Sequence, residues 1–303
     1  MMKKREIRIG LIGSQSMHAW AFAQACNEPD EKGSYRFPNA RVVAVYGVDD
    51  TPGHIRVTME KGNIPRAVAS MEELFEQCDA FMILQRNGAE HMTFAEEIIR
   101  RGYPVFIDKP VCCSREDLQK LQELASERGA VICGGSGFKY NRQILRLKNR
   151  ITTGDLGPVR DGAITYSADI NSPYGGIFFY LPHAVEIMLE LFGYEWRSVR
   201  VKVETHDHFV VYVAYQNCKV QLILNNSKTC CVRIAGDCEI CEEIDADDIF
   251  VENMRHFITA VEDGQMTRNT TALTEHVRLI LAVQRAIEHK KEIERMQISW
   301  QSD

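Results

Sequence analysis

Pro104-Val105-Phe106-Ile107-Asp108-Lys109-Pro110 is a short β-branched and aromatic run that ends on an acid, a lysine and a proline. Before it, an amphipathic segment closes on Arg100-Arg101-Gly102, the composition of a helix end. After it, the serine and aspartate of Ser114-Arg115-Glu116-Asp117 have the spacing of a helix-opening cap. The local order is therefore helix, strand, Asp-Lys-Pro, helix. An open parallel sheet places its ligand crevice outside the carboxyl ends of its strands, so chemistry is expected at Asp108 and Lys109.

Working outward, strand-like and helix-like segments alternate from residue 6 to about 134, the pattern of a doubly wound parallel sheet. Ile7–Ile12 reads as the first strand, Met17–Asn27 as the first helix and Arg41–Tyr46 as the second strand. The interval from Glu28 to Ala40 carries Pro29, Gly33 and Pro38 and reads as a long loop. Ser70 opens a short helix, Ala80–Leu84 is a buried strand, Ala89–Arg101 a helix and Val105–Ile107 a strand. Leu118, Leu121, Leu124 and Ala125 form one helical face, and Val131-Ile132-Cys133 closes the sheet.

Beyond Gly134-Gly135-Ser136-Gly137 the character changes. A helix near Arg142–Arg150 precedes alternating stretches at Trp196–Glu204, Phe209–Tyr215 and Lys219–Asn225, typical of a sheet with one exposed face. Phe250, Met254, Phe257, Ile258 and Val261 make one helical stripe, and Leu273, Val277, Ile280, Leu281 and Ile287 another; both read as core. The expectation is an α/β chain of two domains. Residues 1–135 form a Rossmann-type doubly wound parallel sheet, and residues 136–303 an α+β domain with a large, open, mostly antiparallel sheet.

A chain of 303 residues with 45% hydrophobic and 26% charged residues and a net charge of −6 has no general attraction for nucleic acid or anionic lipid. The first apolar run is too short for a signal core, and no apolar stretch approaches the ~18 residues of a membrane span. A cytoplasmic location is the expectation. The ten cysteines then read as mostly buried thiols. Cys238-Glu239-Ile240-Cys241 lacks the second pair that a closed zinc site requires, and His206-Asp207-His208 lacks a third ligand, so no metal is assigned.

Gly13-Ser14-Gln15-Ser16-Met17-His18 occupies the turn where a dinucleotide fold presents backbone amides and a helix amino end to a pyrophosphate. Only the first glycine of the usual pattern is present; Gln15 and His18 stand at the other two. The acid that would hold a ribose is sought near Tyr46-Gly47-Val48-Asp49-Asp50. Asp49 is the candidate, against the alternative that it belongs to a simple turn. Arg56 keeps a 2′-phosphate open, so the cofactor is NAD or NADP. Gln85, directly after the buried strand Ala80–Leu84, is counted with Asp108 and Lys109 on the cofactor side. Further on, Gly175-Gly176 precedes Tyr180-Leu181-Pro182-His183, where proline suits a first helical turn and His183 stands at a helix amino end that favours a neutral base.

Taken together, the chain resembles the Gfo/Idh/MocA family of NAD(P)-dependent oxidoreductases from residue 6 to about 295. The likeness lies in Ile9-Gly10-Leu11-Ile12-Gly13, in His91 ahead of Gly102-Tyr103-Pro104-Val105, and in Asp108-Lys109-Pro110, similar to the family's Glu-Lys-Pro. It continues in Gly154-Asp155-Leu156-Gly157-Pro158-Val159 and in Gly175-Gly176 through His183. The resemblance implies a lysine and a histidine beside a nicotinamide. Lys109 would hold the reacting oxygen and His183 would exchange its proton while hydride moves to or from a sugar, polyol or related hydroxy compound. It also implies a homo-oligomer formed through the second sheet. The family's aspartate four residues before the histidine is Phe179 here, and Tyr180 is the ionisable candidate in that stretch. Two alternatives follow from these departures: a nucleotide-binding or sensor protein without turnover, and an NAD-using lyase or glycosidase.

Overall fold

A computed structural model describes residues 6–48, 50–227, 229–265, 267 and 270–298. It divides into two compact units. The first begins β1 (Ile7–Ile12), α1 (Met17–Asn27), β2 (Ala40–Tyr46), α2 (Pro52–Gly62), β3 (Ala67–Val68), α3 (Met71–Gln77) and β4 (Ala80–Ile83). It continues α4 (His91–Arg100), β5 (Val105–Ile107), α5 (Arg115–Arg128) and β6 (Ile132–Gly134). The six strands run parallel in the order β3-β2-β1-β4-β5-β6. The order reverses between β1 and β4, which is where such sheets open a crevice.

Local chemistry accounts for the helix starts. Ser16 accepts from the His18 amide, Thr51 caps α2 ahead of Pro52, and Ser70 accepts from the Glu73 amide at α3. The Asp50–Gly53 stretch therefore leads into a helix. Its signal is weak because Thr58 and Gly62 are the only buried residues of α2.

The second unit holds α6 (Arg142–Thr152), β7 (Asp161–Ser167), α7 (Leu181–Phe192), β8 (Ser198–Thr205), β9 (His208–Ala214), β10 (Lys219–Asn225), β11 (Cys230–Ala235) and β12 (Glu239–Ile244). The chain then forms α8 (Ile249–Asp263), α9 (Thr271–His289) and β13 (Ile293–Glu294). The seven-stranded sheet runs β12-β11-β7-β10-β9-β8-β13, antiparallel except for β7 with β10. Alternate residues of β9, β10 and β11 are buried; for β9 and β10 this is the pattern read from the sequence. Trp196, placed at a strand start by its sequence, lies buried two residues before β8 and donates to Glu275 at 2.9 Å.

A single cut between residues 135 and 136 does not describe this division, because residues 250–270 pack with the first unit. The reason is the apolar stripe of α8: Met254, Phe257 and Ile258 share one buried cluster with Phe22, Val42, Met82 and Phe106. Phe106 meets Phe257 edge-on at 5.9 Å and Phe22 at 5.2 Å. Truncating a buried phenylalanine typically costs ~3–5 kcal/mol. Phe257→Ala should lower the urea midpoint of the first unit accordingly, and a change below ~1 kcal/mol would show that α8 contributes little to that core.

Candidate functional site

The carboxyl ends of β1, β4 and β5 bring most of the sequence candidates in the first unit together. Gly13 ends β1 at φ +92°, and its amide donates to the Tyr46 carbonyl at 2.8 Å. A Cβ there would sit 2.9 Å from the Gln85 nitrogen and 3.0 Å from its Cα, so only glycine lets the turn pass the end of β4. Beyond Gly13 the amides of Gln15, Ser16 and Met17 meet no acceptor among the described residues. Three open amides at a helix amino end suit a diphosphate, so this turn fits the pyrophosphate of a dinucleotide despite its two missing glycines.

Asp49, the candidate ribose acid, lies outside the described residues. Its neighbour Asp50 is the carboxylate that reaches the turn. It accepts from the Ser14 amide and the Ser14 hydroxyl, each at 2.6 Å, while Thr58 donates to the Ser14 carbonyl at 3.1 Å. Arg56 projects from α2 into solvent beside Glu60. Gln85 is buried, with its amide nitrogen on Glu90 at 2.9 Å and its Oε1 without a partner.

His18, standing where a third glycine would be, reaches across to Asp108 with Nδ1 2.7 Å from Oδ2. Its ring is edge-on to Phe250 at 5.1 Å. Burial alone would push the Asp108 carboxyl up; the charges of His18 and Lys109 and the hydrogen bond with His18 outweigh it and hold the group down at about 2. Lys109 is itself buried. His91 ties the next residue to the sheet, its Nδ1 2.8 Å from the Pro110 carbonyl and its Nε2 2.9 Å from the Gln85 carbonyl. Burial lowers the pKa of this imidazole against those two carbonyls.

In the second unit His183 is the third residue of α7, as its sequence suggested, and is buried. Its Nδ1 lies 2.8 Å from the Ser136 hydroxyl, and the rings of Phe138 and Tyr166 stand 5.5 and 5.4 Å away. Tyr180 precedes the helix and is 40% exposed. Phe179 packs on Tyr174 and Tyr180. One turn along α7, Glu186 accepts from the Ser136 amide at 2.7 Å and pairs with Lys139 at 2.9 Å. Burial disfavours the Lys139 charge, yet the Glu186 carboxylate outweighs it and pushes the amine pKa up. His276 lies 3.6 Å from Glu186, beyond hydrogen-bond reach, and burial pushes it down to about 4.

Ser136 and Asp50 were not singled out from the sequence. Ser136 sits in a glycine-rich stretch that reads as a domain boundary, although its place just past β6, at a strand's carboxyl end, is a usable signal. His206 and His208 do not form a pair: the first contacts Asp169 at 3.0 Å and the second Glu204 at 3.7 Å.

Residues 7–136 match the model of the Gfo/Idh/MocA oxidoreductase family, described by an NAD-binding Rossmann fold. Among solved structures, scyllo-inositol dehydrogenase from Lactobacillus casei with bound NAD(H) and scyllo-inositol is 14% identical, with a TM-score of 0.80 over 96% of this chain and 100% of its own. A putative myo-inositol dehydrogenase from Sinorhizobium meliloti is 17% identical, with a TM-score of 0.78 over 95% and 99%. A putative NADPH-dependent oxidoreductase from Desulfitobacterium hafniense is 15% identical, with a TM-score of 0.81 over 98% and 99%. At these identities the likeness is one of fold, and it covers nearly the whole chain. No curated protein sequence is significantly similar to the chain. Among the described residues no helix is long and apolar enough to cross a membrane.

The depressed Asp108 carboxyl links stability to pH. An acid whose folded pKa lies below its ordinary 3.8 stabilises fully above that value and loses the contribution as pH falls toward about 2. Asp108→Asn should therefore lower stability near neutrality by ~2 kcal/mol and flatten acid unfolding across that window, read by denaturant melts at stepped pH. An unchanged acid limb would mean the pair with His18 carries no net energy.

Proposed function

We propose that the chain is an NAD(P)-dependent dehydrogenase of a polyol, with cyclic inositol-like polyols as the substrate class. The observation that carries the reading is the row of open amides at Gln15, Ser16 and Met17, on the same parallel sheet that holds the buried Lys109 at the end of β5. A cofactor turn and a cation at the same end of one sheet, here after β1 and β5 with β4 between them, are what hydride transfer at a hydroxyl-bearing carbon needs from a protein. The inositol dehydrogenases among the solved structures of the same architecture support the substrate class.

A bound nicotinamide supplies the hydride acceptor or donor. The remaining work belongs to side chains. The Lys109 ammonium stabilises charge that develops on the substrate oxygen, in a buried setting where a fixed cation acts more strongly than in water. Its neighbour Asp108 is hydrogen-bonded to His18. In the second unit, His183 and the exposed Tyr180 just before it are the groups able to exchange a hydrogen bond or a proton with a hydroxyl compound.

Asp50 favours NAD over NADP. Its carboxylate is anchored by Ser14 at the end of the second strand's connection, where a ribose 2′-phosphate would bring like charge against it.

Two measurements test this reading. Lys109→Ala should leave NADH binding, followed by fluorescence, within a few-fold of native while lowering kcat on polyols by ~10²–10³. Cofactor binding without turnover of any polyol by the native chain would favour the sensor alternative. Asp50→Ala should shift the NADPH-to-NADH affinity ratio upward by about tenfold or more, the effect of removing one like-charge contact. An unchanged ratio would place the discriminating residue elsewhere.

A further inference from the structure

We propose that Ser136 is a positioning residue that fixes His183 as a neutral imidazole protonated on Nε2. The argument is one of hydrogen-bond accounting around a buried hydroxyl. Ser136 is 1% exposed, and its Oγ takes part in two hydrogen bonds. One comes from the Phe138 amide at 3.3 Å, in which Oγ is the acceptor because a backbone N–H can only donate. The other joins His183 Nδ1 at 2.8 Å.

If Nδ1 carried hydrogen, Oγ would accept twice and its own hydrogen would be buried without an acceptor, a cost of ~1–3 kcal/mol. If Oγ donates to Nδ1, every group is satisfied. The neutral ring then bears its proton on Nε2. The same accounting disfavours the imidazolium, whose Nδ1–H would again orphan the serine hydrogen.

The serine cannot turn away easily. Its amide is held by Glu186 at 2.7 Å, and that carboxylate is held in turn by Lys139 at 2.9 Å. Gly135, at φ +83°, lies so close that a Cβ would meet both Glu186 oxygens at 2.6 Å and the Lys139 amine at 2.8 Å. The phenyl ring of Phe138 and the phenol of Tyr166 flank the imidazole without offering Nδ1 a charge. An aspartate partner would stabilise the imidazolium; a serine that donates does the reverse. The residue four before His183 is Phe179, packed on Tyr174 and Tyr180.

The tautomer does not rest on the dehydrogenase reading above. The test is nitrogen-15 NMR of the intact chain labelled at histidine, with His183 assigned by loss of its signals in His183→Gln. Expected at neutral pH are a protonated Nε2 and an unprotonated, hydrogen-bonded Nδ1. Ser136→Ala should turn this single form into a mixture of tautomers. A native ring protonated on Nδ1, a native imidazolium at neutral pH, or a signature unmoved in Ser136→Ala would each overturn the proposal. Failure to oxidise any polyol would count against the dehydrogenase reading alone, since turnover does not enter this measurement.

Discussion

The close passage of Gly13 over the backbone of Gln85 is the constraint from which the cofactor turn follows. β1 is buried between β2 and β4, so the chain has to leave the sheet at its carboxyl end without a side chain in the way. With φ at +92° the backbone leaves β1 for α1, and the amides of Gln15, Ser16 and Met17 meet no acceptor among the described residues. Any other residue would be strained by ~1–3 kcal/mol and would push β1 and β4 apart at the switch point. The two later glycines of the usual pattern serve different ends, close backbone approach and helix–strand packing. Their absence therefore alters the turn without closing it.

What replaces the third glycine is informative. A side chain at position 18 has to go somewhere in the narrow space between α1 and the strand ends, and the imidazole goes to Asp108, 90 positions away in sequence. A buried carboxylate next to Lys109 would otherwise neutralise that lysine. Bound to His18, it is itself satisfied, and the strand end carries net positive charge whenever His18 is protonated. A departure from the glycine pattern and the acid of Asp-Lys-Pro are thus two halves of one contact.

Much of this architecture was legible in the sequence where periodicity reports burial directly. Lys219–Asn225 alternates cleanly and is β10 residue for residue, and Val105–Ile107 is β5. α2 and β12 escaped because their burial is slight: α2 buries little beyond Thr58 and Gly62, and β12 carries three glutamates in six residues. The stripe of α8 was plain, but a stripe shows that a face is covered and not by what; its return to the first unit is a long-range fact. The same limit applies to the site. Asp108, Lys109 and His183 were visible because strand ends and helix starts mark themselves locally. Asp50 and Ser136 were not, since each acquires meaning only from a partner, Ser14 or His183, that folding supplies.

The second unit treats its histidine in a way that such partners explain. A carboxylate, Glu186, lies one turn from His183 on α7, close enough in sequence to have served as its acid, but Lys139 and the Ser136 amide already claim it. On the other side of that pair the Ser136 hydroxyl meets His183 Nδ1. His276, buried on the other side of Glu186 and pushed down to about 4, adds no charge of its own near neutrality. A buried ion pair of this kind contributes little net stability against an apolar alternative. Its use here is positional: it holds the loop between β6 and α6 so that one serine hydrogen points at one ring nitrogen.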